Sequence, residues 1–180
     1  MYTLAAMPDQ SSTSHSARGV VRHVAATLAY RAAKVLRDVP PGFADTTVGA
    51  TTRRPVQIVA HMADLMAWGL TLARGESVWK AGGGSDWSTE VVRFFDGLVE
   101  LDRVLTTSEP STDSIEKLIQ GPLADALTHV GQLALIRGMT GAPVRPESYA
   151  KAEIVAGRVG LEQAPPGREF NGDASAPKRG

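Results

Sequence analysis

The chain has 180 residues and a mass of 19.0 kDa, the size of one domain. Apolar residues make up 43% and charged residues 21%, ordinary values for a globular protein. Lys+Arg and Asp+Glu balance at 19 each, and the halves split at residue 90 carry +2 and −2, so the one-sided basic field of a nucleic-acid binder is excluded. The absence of cysteine excludes a disulfide framework, a Cys-ligated zinc site and a catalytic thiol of the chain's own.

The opening segment MYTLAAMPDQSSTS has no basic n-region and no apolar h-region of useful length. No continuous apolar run approaches the roughly 18 residues that span a bilayer. The expectation is a cytoplasmic protein with neither a membrane nor a nucleic-acid partner.

Residues 1–13 read as a loose polar arm. A first helix begins near Ser14 or Ser16, either of which can cap it. Its face is Val20, Val21, Val24, Leu28, Ala32 and Val35, at steps of three and four. Asp38-Val39-Pro40-Pro41-Gly42 stops it, and a long connection runs to about Thr52. A second helix is expected from Arg53 to Arg74, with Thr52 as cap and Pro55 in its first turn. Its inward stripe is Ile58, Met62, Leu65, Met66, Gly69, Leu72 and Ala73. GESVWKAGGGSDW follows as a glycine-rich connector, expected to be the most mobile internal segment.

The third helix reads from Trp87 to Thr106, capped by Asp86 or Ser88, with Val91, Phe94, Phe95, Leu98, Leu101 and Leu105 inward. A short helix over IEKLIQ precedes Gly121-Pro122, which is expected to break or kink the chain. The fourth long helix runs from Pro122 to Met139 and stops at Gly141. PESYAKAEI suggests one more short helix, and the remainder reads as an irregular tail. Four amphipathic helices and no strand pattern give an all-α four-helix bundle over 14–145, with a long crossover connection and a C-terminal extension over 146–180.

Of the four histidines, His61 and His129 lie in the bodies of amphipathic helices. At 100° per residue, His61 sits about 80° from the centre of its stripe. Asp64 and Trp68 follow on its flank. Asp125 and His129 are four apart and therefore neighbours on one helix face, with Gln132 continuing the row. One reading is a metal site inside the bundle: Asp125 and His129 from one helix, His61 from the facing one. Imidazole and carboxylate suit zinc, nickel or ferrous iron, with positions left open for water or a substrate. The plainer reading is an Asp–His surface pair and a hydrogen-bonded histidine at the core edge.

Other features carry less. Trp68, Trp79 and Trp87 could line a pocket, though the plainer reading is packing. Gly82-Gly83-Gly84 lacks the lysine and hydroxyl of a phosphate-binding loop. His15 and His23 read as solvated or packed residues; Arg137, Arg145, Arg158 and Arg168 could bind an anionic substrate, though the plainer reading of scattered arginines is solvated surface.

PVQIVAHMADLMAWGL and GPLADALTHVGQLALIRGMTGAPV resemble the DinB/YfiT-like family of four-helix proteins, over roughly residues 15–145 in element order. The resemblance implies a bundle with a crossover connection and a metal site built from one histidine of the second helix and two of the fourth. His61 matches the first of these. His129, followed by Val130-Gly131-Gln132, matches the later fourth-helix histidine. The earlier one falls at Asp125, which could be a ligand, an acceptor that orients His129, or the mark of a site that has lost its metal. Asp64 is a competing carboxylate, and Trp68 and Gln132 would be pocket neighbours.

Several relatives use a low-molecular-weight thiol such as mycothiol, bacillithiol or glutathione. The resemblance thus implies a metal-dependent thiol transferase or isomerase acting on a small molecule, as a homodimer. The alternative is a non-catalytic ligand-binding or dimerising helical protein with a degenerate site.

Overall fold

A computed structural model describes residues 16–84 and 86–170. The expected arm over 1–13, Ser14, His15 and the last ten residues of the tail lie outside the described residues. The described residues form five α-helices: α1 (Ala17–Leu36), α2 (Pro55–Ala73), α3 (Trp87–Thr107), α4 (Thr112–Leu118) and α5 (Ala124–Met139). Among the described residues there is no strand, only an isolated antiparallel bridge between Glu147 and Glu169.

Ser16 caps α1, its Oγ accepting from the Gly19 N–H at 3.2 Å. The buried side of α1 differs from the sequence expectation. Val20 is 46% exposed, and Ala25, Ala26, Ala29, Ala32 and Ala33 are fully buried beside Leu28. A row of small side chains lets α1 sit close to α3 and the α4–α5 rod, against which it packs. At its end, Arg137 of α5 donates to the carbonyls of Val35, Arg37 and Asp38, acceptors that the helix terminus leaves without partners.

α2 is the central helix and packs against α3, α5 and the turn before α5. Its cap is not Thr52, whose hydroxyl donates to Gly49 O; the cap is Arg54, two residues on, where Gln57 Oε1 accepts from the Arg54 N–H at 2.9 Å. Although no apolar run in the sequence is continuous, α2 is long and apolar enough to span a membrane, with a mean hydropathy of 1.3. Of that window 67% is buried inside the protein, so its apolar surface serves as core.

α2 and α3 cross closely at Gly97. A Cβ there would lie 2.7 Å from Met66 Cβ, an atom near the backbone that cannot swing away. Gly97→Ala is therefore expected to destabilise the protein by about 1–2 kcal/mol in urea unfolding, overpacking outweighing the gain in helix propensity. Gly131 of α5 has open space, so Gly131→Ala is expected to stabilise by up to about 1 kcal/mol.

Gly121-Pro122 does not break the last rod. The chain stays helical from Thr112 to Met139 through a π-helical turn over Ile119–Leu123. Such a turn changes the local hydrogen-bond register, which allows proline inside a continuous helix. Gly69 of α2 accommodates it: a Cβ there would already touch Pro122 Cγ at 3.4 Å. The helix expected over IEKLIQ and the fourth helix are thus one rod.

From residue 140 to 170, the last described, the chain is irregular, with a single 3₁₀ turn at Tyr149–Lys151 in place of the short helix expected over PESYAKAEI. This segment lies against the bundle. Val159 is buried, and the buried Glu147 carboxylate accepts from Tyr30 Oη, Lys34 Nζ and the Gly167 N–H.

Candidate metal centre

His61 sits mid-way along α2 on the flank of its buried stripe, its side chain 21% exposed. Asp125 is in the first turn of α5 and His129 one turn further. The α2–α5 packing brings them together. His61 Nε2 is 3.4 Å from Asp125 Oδ2, and His129 Nε2 is 3.4 Å from Asp125 Oδ1. One donor atom from each of the three lies within 4.8 Å of the other two. The imidazoles stand edge to face with centroids 4.9 Å apart.

These separations are long for charge-assisted hydrogen bonds. They run to the two different oxygens of one carboxylate, which places the two imidazole nitrogens on either side of Asp125, close enough for the three side chains to share one ion. Two imidazoles and a carboxylate form a donor set that suits zinc, nickel or ferrous iron. The residues therefore fit the group that the sequence resemblance implies.

Gln132 completes the arrangement. Its Oε1 lies 2.8 Å from His129 Nδ1. The tautomer that donates Nδ1–H to this oxygen leaves the Nε2 lone pair facing Asp125 and His61. In that tautomer Gln132 orients His129, and Asp125 stands on the side of the free Nε2.

The His61 imidazole is held below its usual 6.5. Burial is the main cause, followed by the positive charge of Arg53 and by His129, with Asp125 pulling the other way. A depressed value keeps the ring neutral, the form that binds metal.

Asp64 does not compete for the site. Three residues on from His61 it points towards α3, where Arg93 Nη1 meets its Oδ1 at 2.6 Å and the Gly82 N–H donates at 3.0 Å. Arg93 also pairs with Glu90, which accepts from the Gly84 N–H. Two N–H groups of the loop expected to be most mobile are therefore held by buried carboxylates. Trp68 reaches the site at one remove: its indole donates to Ser77 Oγ and packs on Trp79, whose ring lies 5.6 Å from that of His61.

Two openings flank the cluster. An apolar cleft of about 370 Å³ lies on the His129 side, between α5 and the segment leading into α2, lined by Val48, Ile58, Leu135, Ile136 and Met139. A polar pocket of about 580 Å³ lies on the His61 side, lined by Gln57, Asp64 and Gly82–Gly84. Arg53 lines both. Arg53 and Gln57 were not among the site residues expected from the sequence, and Trp79 was weighed as pocket lining only beside the plainer packing role. A signal for Gln57 was present: it stands four residues before His61, so the two share one face of α2.

No family model, curated protein or solved structure matches the chain.

Proposed function

We propose that this protein is a metal-dependent enzyme of the DinB/YfiT-like class that joins or isomerises small molecules with the help of a low-molecular-weight thiol. His61, Asp125 and His129 would hold a divalent zinc, nickel or iron ion. The observation that carries the reading is the convergence of these three donors from segments more than sixty residues apart in the chain. The packing of α1 and α2 each against α3 and α5 suits the crossover connection of that family.

When bound, such an ion supplies Lewis acidity that brings a coordinated thiol towards its thiolate near neutral pH. The chain's own residues do the rest. Gln132 selects the His129 tautomer. Burial and Arg53 keep His61 neutral. The apolar wall of Ile58, Leu135 and Met139 on one side of the site suits an apolar acceptor. With the sulfur arriving from the substrate, the lack of cysteine fits this chemistry.

The test is metal stoichiometry. Protein produced with ample zinc is expected to carry about one ion per chain by elemental analysis, lost in His61→Ala and in His129→Ala. A metal-free wild type under the same supply would reject the proposal and leave the degenerate-site reading.

A further inference from the structure

Arg53 stands apart from every other arginine. Arg18, Arg22, Arg54, Arg74, Arg93, Arg103, Arg145 and Arg158 face carboxylates. Arg37 and Arg137 donate to carbonyls, and Arg31 and Arg168 lie over aromatic rings. Among the described arginines, Arg53 alone has no side-chain hydrogen bond, ion pair or ring partner. It is also the residue shared by the two openings beside His61 and His129.

The neighbouring acids do not neutralise it. Asp64 and Glu90 are both bound to Arg93, at 2.6 Å each. Gln57 gives its carbonyl oxygen to the Arg54 N–H, so its amide NH₂ is the edge left for a ligand. A planar guanidinium with five donors is the side chain best shaped for a carboxylate or another planar oxyanion. The polar pocket thus offers a cation and an amide donor, while the cleft across Arg53 offers Leu135 and Met139, which are 65% and 60% exposed.

We propose that Arg53 anchors the substrate: a small thiol bearing a carboxylate is held by the Arg53 guanidinium and the Gln57 amide, with its sulfur towards His61, Asp125 and His129 and its apolar co-substrate in the cleft. This rests on the proposed function and names the thiol's class. It makes Arg53 a binding residue that selects charged thiols over neutral ones of the same size.

The probes are 3-mercaptopropionate and 2-mercaptoethanol, titrated calorimetrically into zinc-loaded protein at low salt. The wild type is expected to bind the carboxylate thiol about tenfold more tightly than the neutral one. Arg53→Met is expected to abolish that preference with zinc stoichiometry unchanged, Arg53→Lys to keep part of it, and Arg54→Met, which removes the arginine paired with Asp45, to keep all of it. Equal preference in wild type and Arg53→Met, or no preference in the wild type, would overturn the proposal. Should the chain take up no zinc, the metal reading falls separately. The same titrations on chelator-treated protein then decide the anion site: a preference removed by Arg53→Met upholds it, and its absence overturns it.

Discussion

Glu147→Ala is expected to destabilise the protein by about 3 kcal/mol in urea unfolding, among the largest single-residue effects in the chain. Glu147 lies in an irregular segment, yet its side chain is fully buried. Its carboxylate accepts from Tyr30 Oη at 2.7 Å, Lys34 Nζ at 2.7 Å and the Gly167 N–H at 3.1 Å. Removing it strands a lysine that is itself only 10% exposed. Glu169, 2.8 Å from the same ammonium, relieves part of the loss and sets the effect at the lower end of the range for broken buried pairs. If the cost arises from an orphaned charge, then Lys34→Met in the same chain should recover part of it. A double variant as unstable as Glu147→Ala would show that the acid acts through packing alone.

The pair also dictates a pH dependence. Burial pushes the Glu147 carboxyl up, but Lys34 and Tyr30 outweigh it, and the net value lies below the ordinary 4.5. Its contribution is therefore present above that ordinary value and lost as pH falls through the depressed one. For Lys34, burial pulls down while Glu147 and Glu169 pull up more strongly, leaving it above 10.5. That contribution is present below 10.5 and lost as pH rises through the raised value. Unfolding free energy measured against pH should show an acid limb in the wild type that is shallower in Glu147→Ala.

Nothing in PESYAKAEI or the residues around it announces this anchor. An irregular segment has no periodicity, so its burial is invisible until the face of α1 carrying Tyr30 and Lys34 is placed beside it. Asp64 illustrates the same limit from within a helix. Its spacing from His61 was plain, but a flank of α2 faces either α5 or α3, and Arg93 decides the matter from 29 residues away. Pro122 was read by its local rule, and the π-helical turn that evades the rule packs against Gly69 of α2 from more than fifty residues away. The candidate centre was legible for the opposite reason. Asp125, His129 and Gln132 are related by helix geometry alone, and only the meeting with His61 needed tertiary structure. Val20 misled because α1 buries alanines, whose small size permits close helix contact while adding little to a hydrophobic pattern.

Zinc at about a thousand times its dissociation constant is expected to stabilise the wild type by about 4 kcal/mol, a rise in melting temperature of about 10 °C for a chain of this size. His61→Ala and His129→Ala should show almost none of this rise, and Gln132→Leu should weaken zinc binding by about 10- to 100-fold, because the ring it orients loses its fixed tautomer. The effect must also depend on pH, with a definite sign. Burial first, then Arg53 and His129, lower the His61 value below 6.5 in the folded chain. An imidazole depressed in this way contributes its full share of stability above 6.5, and the contribution is lost as pH falls through the folded value. Metal needs the same neutral ring, so the zinc-induced rise should persist somewhat below 6.5 and then collapse on further acidification. Asp125 separates the remaining readings of the cluster. With Nδ1 of His129 already bonded to Gln132, the carboxylate is not required to orient that ring. A ligating role therefore predicts that Asp125→Ala loses zinc affinity about as severely as the histidine variants, while Asp125→His, which restores the three-imidazole set of the resembled family, retains binding. Zinc stabilisation in Asp125→Ala equal to that of the wild type would remove the carboxylate from the ligand set.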